Sequence, residues 1–138
     1  MTTAHPPIQF FAGDDWEIQA TLLDETGTPY DLSGSPSPII KWRLMDFRYT
    51  AIIGDEAIIT ILDPLNGFVS VKVAGSVTTI LNTGLYSDAL RLVMAGQSGT
   101  LLGGPVAVVA DPWAKPEGLQ MSNRRARVTY SRGQFRNL

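Results

Sequence analysis

The 138-residue chain has no cysteine and a single histidine. The first absence removes disulfide frameworks, thiolate metal sites and cysteine nucleophiles together. The second leaves one imidazole for general-base or metal chemistry. That residue, His5, precedes Pro6-Pro7 near the N-terminus, where a solvated end residue is expected. Charge is also scarce: Asp, Glu, Lys and Arg make up 17% of the chain, which suggests that neighbours cover part of its surface. No run of about 18 apolar residues occurs, so no helical membrane span is expected. Residues 1–7 hold no basic region leading into an apolar stretch, so no secretory signal is expected, and synthesis is expected in the cytoplasm.

Turn formers and alternation are abundant. Thirteen glycines and nine prolines punctuate the chain at the short intervals that an all-β protein needs. Ile8 to Ala12 is a short apolar run entered through two prolines, suited to an edge or first strand. Trp16, Ile18, Ala20 and Leu22 alternate with Glu17, Gln19 and Thr21, the pattern of a half-buried strand. The alternation returns at Ile40, Trp42 and Leu44 against Lys41 and Arg43, then at Ala57 to Leu62 and at Phe68 to Val73. Residues 46–55 give no clear pattern, and Ser76 to Leu81 fits one or two helical turns. No strand alternates with a long amphipathic helix, which counts against a parallel α/β sheet.

Residues 82–113 organise the rest. Asn82-Thr83-Gly84 reads as a corner in which Gly84 can take a positive φ, and Tyr86 opens a strand carrying Leu90, Leu92 and Met94 on one face. A loop at 96–99 and a run from Thr100 to Ala110 complete a hairpin. A Gly-x-Tyr corner of this kind occurs where the last two strands of an immunoglobulin-like sandwich meet, and Trp42 in the third strand fits the same scheme. Where antibody domains place a cysteine, this chain has Asp88, whose parity turns it inward. An inward carboxylate must be bonded to backbone amides or to an arginine. The expected fold is therefore all-β: a seven-stranded antiparallel immunoglobulin-like β-sandwich over residues 1–113, with Trp16, Trp42, Val71, Tyr86 and Leu90 in its core.

The charge balance changes at residue 114. Residues 1–113 hold five Lys/Arg against twelve Asp/Glu, a balance of −7; residues 114–138 hold six against one, a balance of +5. The second segment is expected to be an extended basic tail for inter-subunit contact. Arg124, Arg125, Arg127, Arg132 and Arg136 would face an acidic surface, and Val128 to Tyr130 would add a strand to a neighbour's sheet. Nucleic acid is a poorer partner for these arginines, because the acidic body opposes its approach. Removing residues 119–138 is expected to leave a folded sandwich that no longer assembles.

Catalytic constellations are not found. Asp14-Asp15 and Asp55-Glu56 each follow a glycine, and turn chemistry explains them better than a calcium site does. Ser98 lacks both the Gly-x-Ser-x-Gly spacing and a histidine to act as its base. Gly103-Gly104 is followed by proline and valine, so it is no phosphate loop. No cofactor, metal or small-molecule substrate is expected.

Five segments in order carry a resemblance: Gly13-Asp14-Asp15-Trp16, Asp24 to Gly34, Asp63-Pro64-Leu65-Asn66-Gly67, Gly84 to Leu92, and Gly103-Gly104-Pro105-Val106. Together they resemble small phage and prophage immunoglobulin-like structural modules, similar to the N-terminal domain of baseplate upper proteins and to tail-fibre-associated proteins. The resemblance spans about residues 8–113; the basic tail has no counterpart in it. It implies a non-enzymatic virion component of the tail, baseplate or fibre-attachment region, acting through other virion proteins and further copies of itself. A capsid-associated decoration or head-fibre protein is one alternative. A carbohydrate- or receptor-binding module is another, for which Phe47, Tyr49 and Trp113 are the loop aromatics.

Overall fold

The computed structural model describes residues 5–34, 37–94, 97–109 and 125–131. Nine strands are described: β1 (Ile8–Phe11), β2 (Trp16–Leu23), β3 (Ile39–Met45), β4 (Ala51–Ile53), β5 (Ile58–Asp63), β6 (Phe68–Val73), β7 (Gly84–Met94), β8 (Gln97–Val109) and β9 (Arg125–Ser131). Among the described residues, helix is confined to a 3-10 turn at Pro64–Asn66 and a short α-helix at Gly75–Thr78. The strands form two mixed sheets in a sandwich-like arrangement. One sheet runs β1-β8-β7-β3-β4 and the other β9-β2-β6-β5. A single residue pair between β8 and β9, Leu102 with Ser131, joins them into one continuous ladder.

The alternation read from the sequence sets the inside and the outside. Trp16, Ile18, Ala20 and Leu22 of β2 are buried, as are Trp42 and Leu44 of β3, Val69, Val71 and Val73 of β6, and Leu90 and Leu92 of β7. Phe10 stacks on Trp16 with ring centroids 4.5 Å apart, and the Trp16 indole donates to the Phe11 carbonyl at 3.0 Å. Tyr86 is only half-buried, against the expectation of a core position. Its hydroxyl makes the expected corner bond, donating to the Asn82 carbonyl at 2.8 Å. Gly84 does not take a positive φ; Gly13, Gly27 and Gly67 do.

Three expectations change. Residues 46–55 form the turn and β4, an extra strand closed by Asp46, whose carboxylate accepts from the Arg48 and Thr50 amides at 2.8 and 3.0 Å. The sheets are mixed rather than purely antiparallel, because β1 lies parallel to β8 and β9 lies parallel to β2. The boundary at residue 114 does not separate a body from a free tail either. Strand β9 pairs with β2 of its own chain from Glu17↔Arg125 to Leu23↔Ser131. The physical reason is its alternation: Ala126, Val128 and Tyr130 are buried in the core while Arg125, Arg127 and Thr129 face outward. The strand therefore fills a slot on β2 that would otherwise expose backbone donors and acceptors.

Residues 119–138 therefore cannot be removed without opening the core. Deleting them should lower the melting temperature sharply or abolish cooperative unfolding. Tyr130→Ala alone should cost about 3–5 kcal/mol, in the range for large aromatic deletions, and chemical denaturation measures it. A loss below about 1 kcal/mol would place β9 outside the core.

Candidate functional site

Asp88 is the polar centre of the sandwich. It lies on β7 with its side chain fully buried. On one side it pairs in register with Leu44 of β3. On the other, the ladder shifts between Ser87 and Ala89, so that Gly103 and Gly104 of β8 stand opposite it. This is a β-bulge, and the two glycines make it possible. A Cβ on Gly103 would collide with the Asp88 carboxylate and backbone, and one on Gly104 would lie 2.5 Å from the His5 carbonyl oxygen.

Four donors converge on the carboxylate. Oδ1 accepts from His5 Nε2 at 2.8 Å and from the Gly104 amide at 2.8 Å. Oδ2 accepts from Trp42 Nε1 at 3.0 Å and from the Tyr130 hydroxyl at 2.5 Å. An ionised carboxylate offers roughly four lone-pair sites, so its capacity is filled. Of the two partners expected, backbone amides or an arginine, the amide is present, and a histidine, a tryptophan and a tyrosine complete the set.

His5 is therefore not a solvated end residue. It is buried, and its ring meets that of Tyr130 edge-on at 5.5 Å. Its Nδ1 lies 2.7 Å from the Pro6 carbonyl oxygen, which can only accept. With acceptors at both ring nitrogens, the imidazole carries two protons and forms an ion pair with Asp88. Burial alone would lower its pKa, but the hydrogen bond and charge of Asp88 outweigh it and raise the pKa above the ordinary value. The Tyr130 hydroxyl is pushed well above its usual range, first by burial and then by the Asp88 charge. Enclosed in this way, the junction presents no reactive atom to a substrate. It clamps the segment before β1, and with it β3, β8 and β9, onto β7.

The residues expected to bind a partner are divided. Arg125 and Arg127 lie on the outer face of β9 and engage their own body. Arg125 pairs with Glu17 at 3.0 Å, and the Arg127 guanidinium sits 5.0 Å from the centre of the Phe68 ring. Burial works against the Glu17 carboxylate, but hydrogen bonds from Gln19, Ser70 and Arg125 hold its pKa below the ordinary value. Val128 and Tyr130 point into the core and cannot form a partner surface. Arg124, Arg132, Arg136 and Trp113 lie outside the described residues. Of the paired acids, Glu56 serves its own turn, accepting from the Gly54 amide at 2.9 Å, whereas Asp15 reaches across the fold to accept from the Gly75 amide at the start of the short helix at 2.6 Å. Among the described residues no group of three or more His, Asp or Glu is placed to hold a metal ion.

His5 and Tyr130 escaped the sequence reading because their roles depend on Asp88, 83 and 42 residues away. One local signal was present, the Gly103-Gly104 pair inside a strand, which marks a close backbone approach. No protein-family model and no curated protein matches the chain.

Two outcomes follow for the junction. Asp88→Ala should cost about 3–5 kcal/mol, since it strands a buried cation. Because the folded-state pKa of His5 is raised, the folded protein binds more protons than the unfolded one above about pH 6.5. Its stabilisation is complete below that pH and is lost as pH rises through the folded-state value. The carboxylates with lowered pKa act only in acid, and Tyr130 only above about pH 10. Urea midpoints should therefore fall as pH rises above about 6.5 in the natural protein and flatten in His5→Gln; an equal slope in both would remove His5 from the account.

Proposed function

We propose that the protein is a non-catalytic structural subunit of a bacteriophage particle, belonging to the tail, baseplate or fibre-attachment region and working through protein–protein assembly. The observation that carries this reading is the strand order. The order β2-β6-β5 on one side and β4-β3-β7-β8 on the other, with β9 beside β2, supports an immunoglobulin-like reading of the sandwich. Together with the Tyr86 corner bond, this order supports the resemblance to phage immunoglobulin-like modules carried by the five segments. The fold alone hosts many unrelated functions, so the virion assignment draws on those segments.

The surface favours assembly as well. Ile58 and Leu62 on edge strand β5, with Leu65, Ile80 and Leu85 at the ends of the sandwich, are exposed apolar side chains that neighbouring subunits would cover. The exposed Arg125 and Arg127, with Arg124, Arg132 and Arg136 near them in sequence, form the basic strip assigned to a neighbour's acidic surface. Exposed pairs such as Arg125–Glu17 are weak enough to exchange partners.

Copy number and position within purified particles decide the matter. The protein should be present at a fixed copy number, at the tail or baseplate, and high salt should loosen its attachment. Recovery only as a free monomer, never with particles, would overturn the reading.

A further inference from the structure

The outer face of the β1-β8-β7-β3-β4 sheet carries a cavity of about 380 Å³, lined among others by Lys41, Arg43, Tyr49, Ala89, Arg91 and Thr100. Two local costs meet at this cavity. Lys41 and Arg91 stand directly opposite each other across β3 and β7, and Arg43 stands opposite Ala89. Like charges facing each other across a ladder destabilise the pair. Lys41 pairs with the exposed Asp55 at 3.6 Å, a carboxylate that also lines the cavity, while Arg43 and Arg91 make no ion pair with another described residue and leave an excess of positive charge there. The second cost is Tyr49, the only non-glycine among the described residues with positive φ, at 62°. A bulky side chain in that region is strained, and such strain concentrates at functional sites. The Asp46 turn holds it there and leaves the residue 76% exposed.

Both departures raise the energy of the free protein, and both are relieved or used if an anion settles among the cations beside the tyrosine ring. We propose that this cavity binds an acidic saccharide, its anionic group held by Lys41, Arg43 and Arg91 and one sugar face resting on Tyr49. A peptide added as a strand would need a free sheet edge, not this face. Strand β7 is paired on both edges by β3 and β8, whereas β4 pairs with β3 only at Leu44 and Met45 and leaves the other edge of β3 unpaired at Lys41 and Arg43. On the face itself recognition is made by the side chains that project from it. A flat apolar ring beside a cation cluster suits a charged sugar. The proposal goes beyond an assembly role and does not depend on it.

Calorimetric titration of the full chain tests it, with trigalacturonic acid, its methyl ester and hexaglutamate as probes. The acid should bind saturably below about 1 mM, weaken as salt is raised, and exceed the neutral ester and the peptide by about tenfold or more. Arg43→Gln with Arg91→Thr should abolish that preference for the acid. Tyr49→Gly should weaken binding while raising the melting temperature, since it removes the backbone strain. Absence of binding to the acid at millimolar concentration would overturn the proposal. So would equal or tighter binding of hexaglutamate, or an affinity unchanged in the two variants.

Discussion

The buried carboxylate of Asp88, with four donors on it, is the constraint on which the rest of this sandwich depends. A buried charge is tolerated only when it is paired and hydrogen-bonded, and here no single neighbour could do that. Five separate parts of the chain supply the carboxylate or a donor: β7 the acid, β3 an indole, β8 an amide, β9 a phenol, and the segment before β1 an imidazolium. Some β-sandwiches, antibody domains among them, cross-link their two sheets with a disulfide. This chain has no cysteine, and a directional polar cluster joins the sheets instead. Unlike a disulfide, the cluster is assembled only when both ends of the chain are in place. The bulge at Gly103-Gly104 follows from the same need, because β8 must step aside to bring an amide onto Oδ1.

How much of this was legible depended on whether a signal was local. The interiors of β2, β3, β6 and β7 could be read from alternation alone, because period two in a strand is a direct image of inside and outside. So could the inward turn of Asp88 and its need for an amide. His5 was misread because its environment is made by a residue 83 positions later. The misreading of the tail had a different cause. Arg125 to Tyr130 alternates as cleanly as β2 does, but averaging charge over residues 114–138 concealed the alternation. Parallel pairing then hid the partner, since β2 and β9 are more than a hundred residues apart and no hairpin links them. Residues 46–55 failed for want of any run, β4 being three residues long.

The two outer faces of the sandwich have different electrostatic characters, and strand β9 is the reason. On the β9-β2-β6-β5 face, Arg125 meets Glu17 and Arg127 covers Phe68, so that the cations brought by the C-terminal strand are met by groups on the neighbouring strands. On the β1-β8-β7-β3-β4 face, Lys41, Arg43 and Arg91 lie in adjacent rungs with Asp55 as their one ion-pair partner among the described residues. Four of the five basic residues before residue 114 belong to β3, the turn after it and β7, so this body of net negative charge has one positive side. Folding alone does not call for such an arrangement. A neutral side chain at position 91 and a glycine at position 49 would both lower the energy of the isolated domain. The interior positions of β3 and β7 agree with the fold, and a cation cluster beside a strained turn residue is where a binding demand is expected to override stability. The two faces thus differ in how their cations are met: on the β9 face by groups of the neighbouring strands, on the other by a single carboxylate among the described residues.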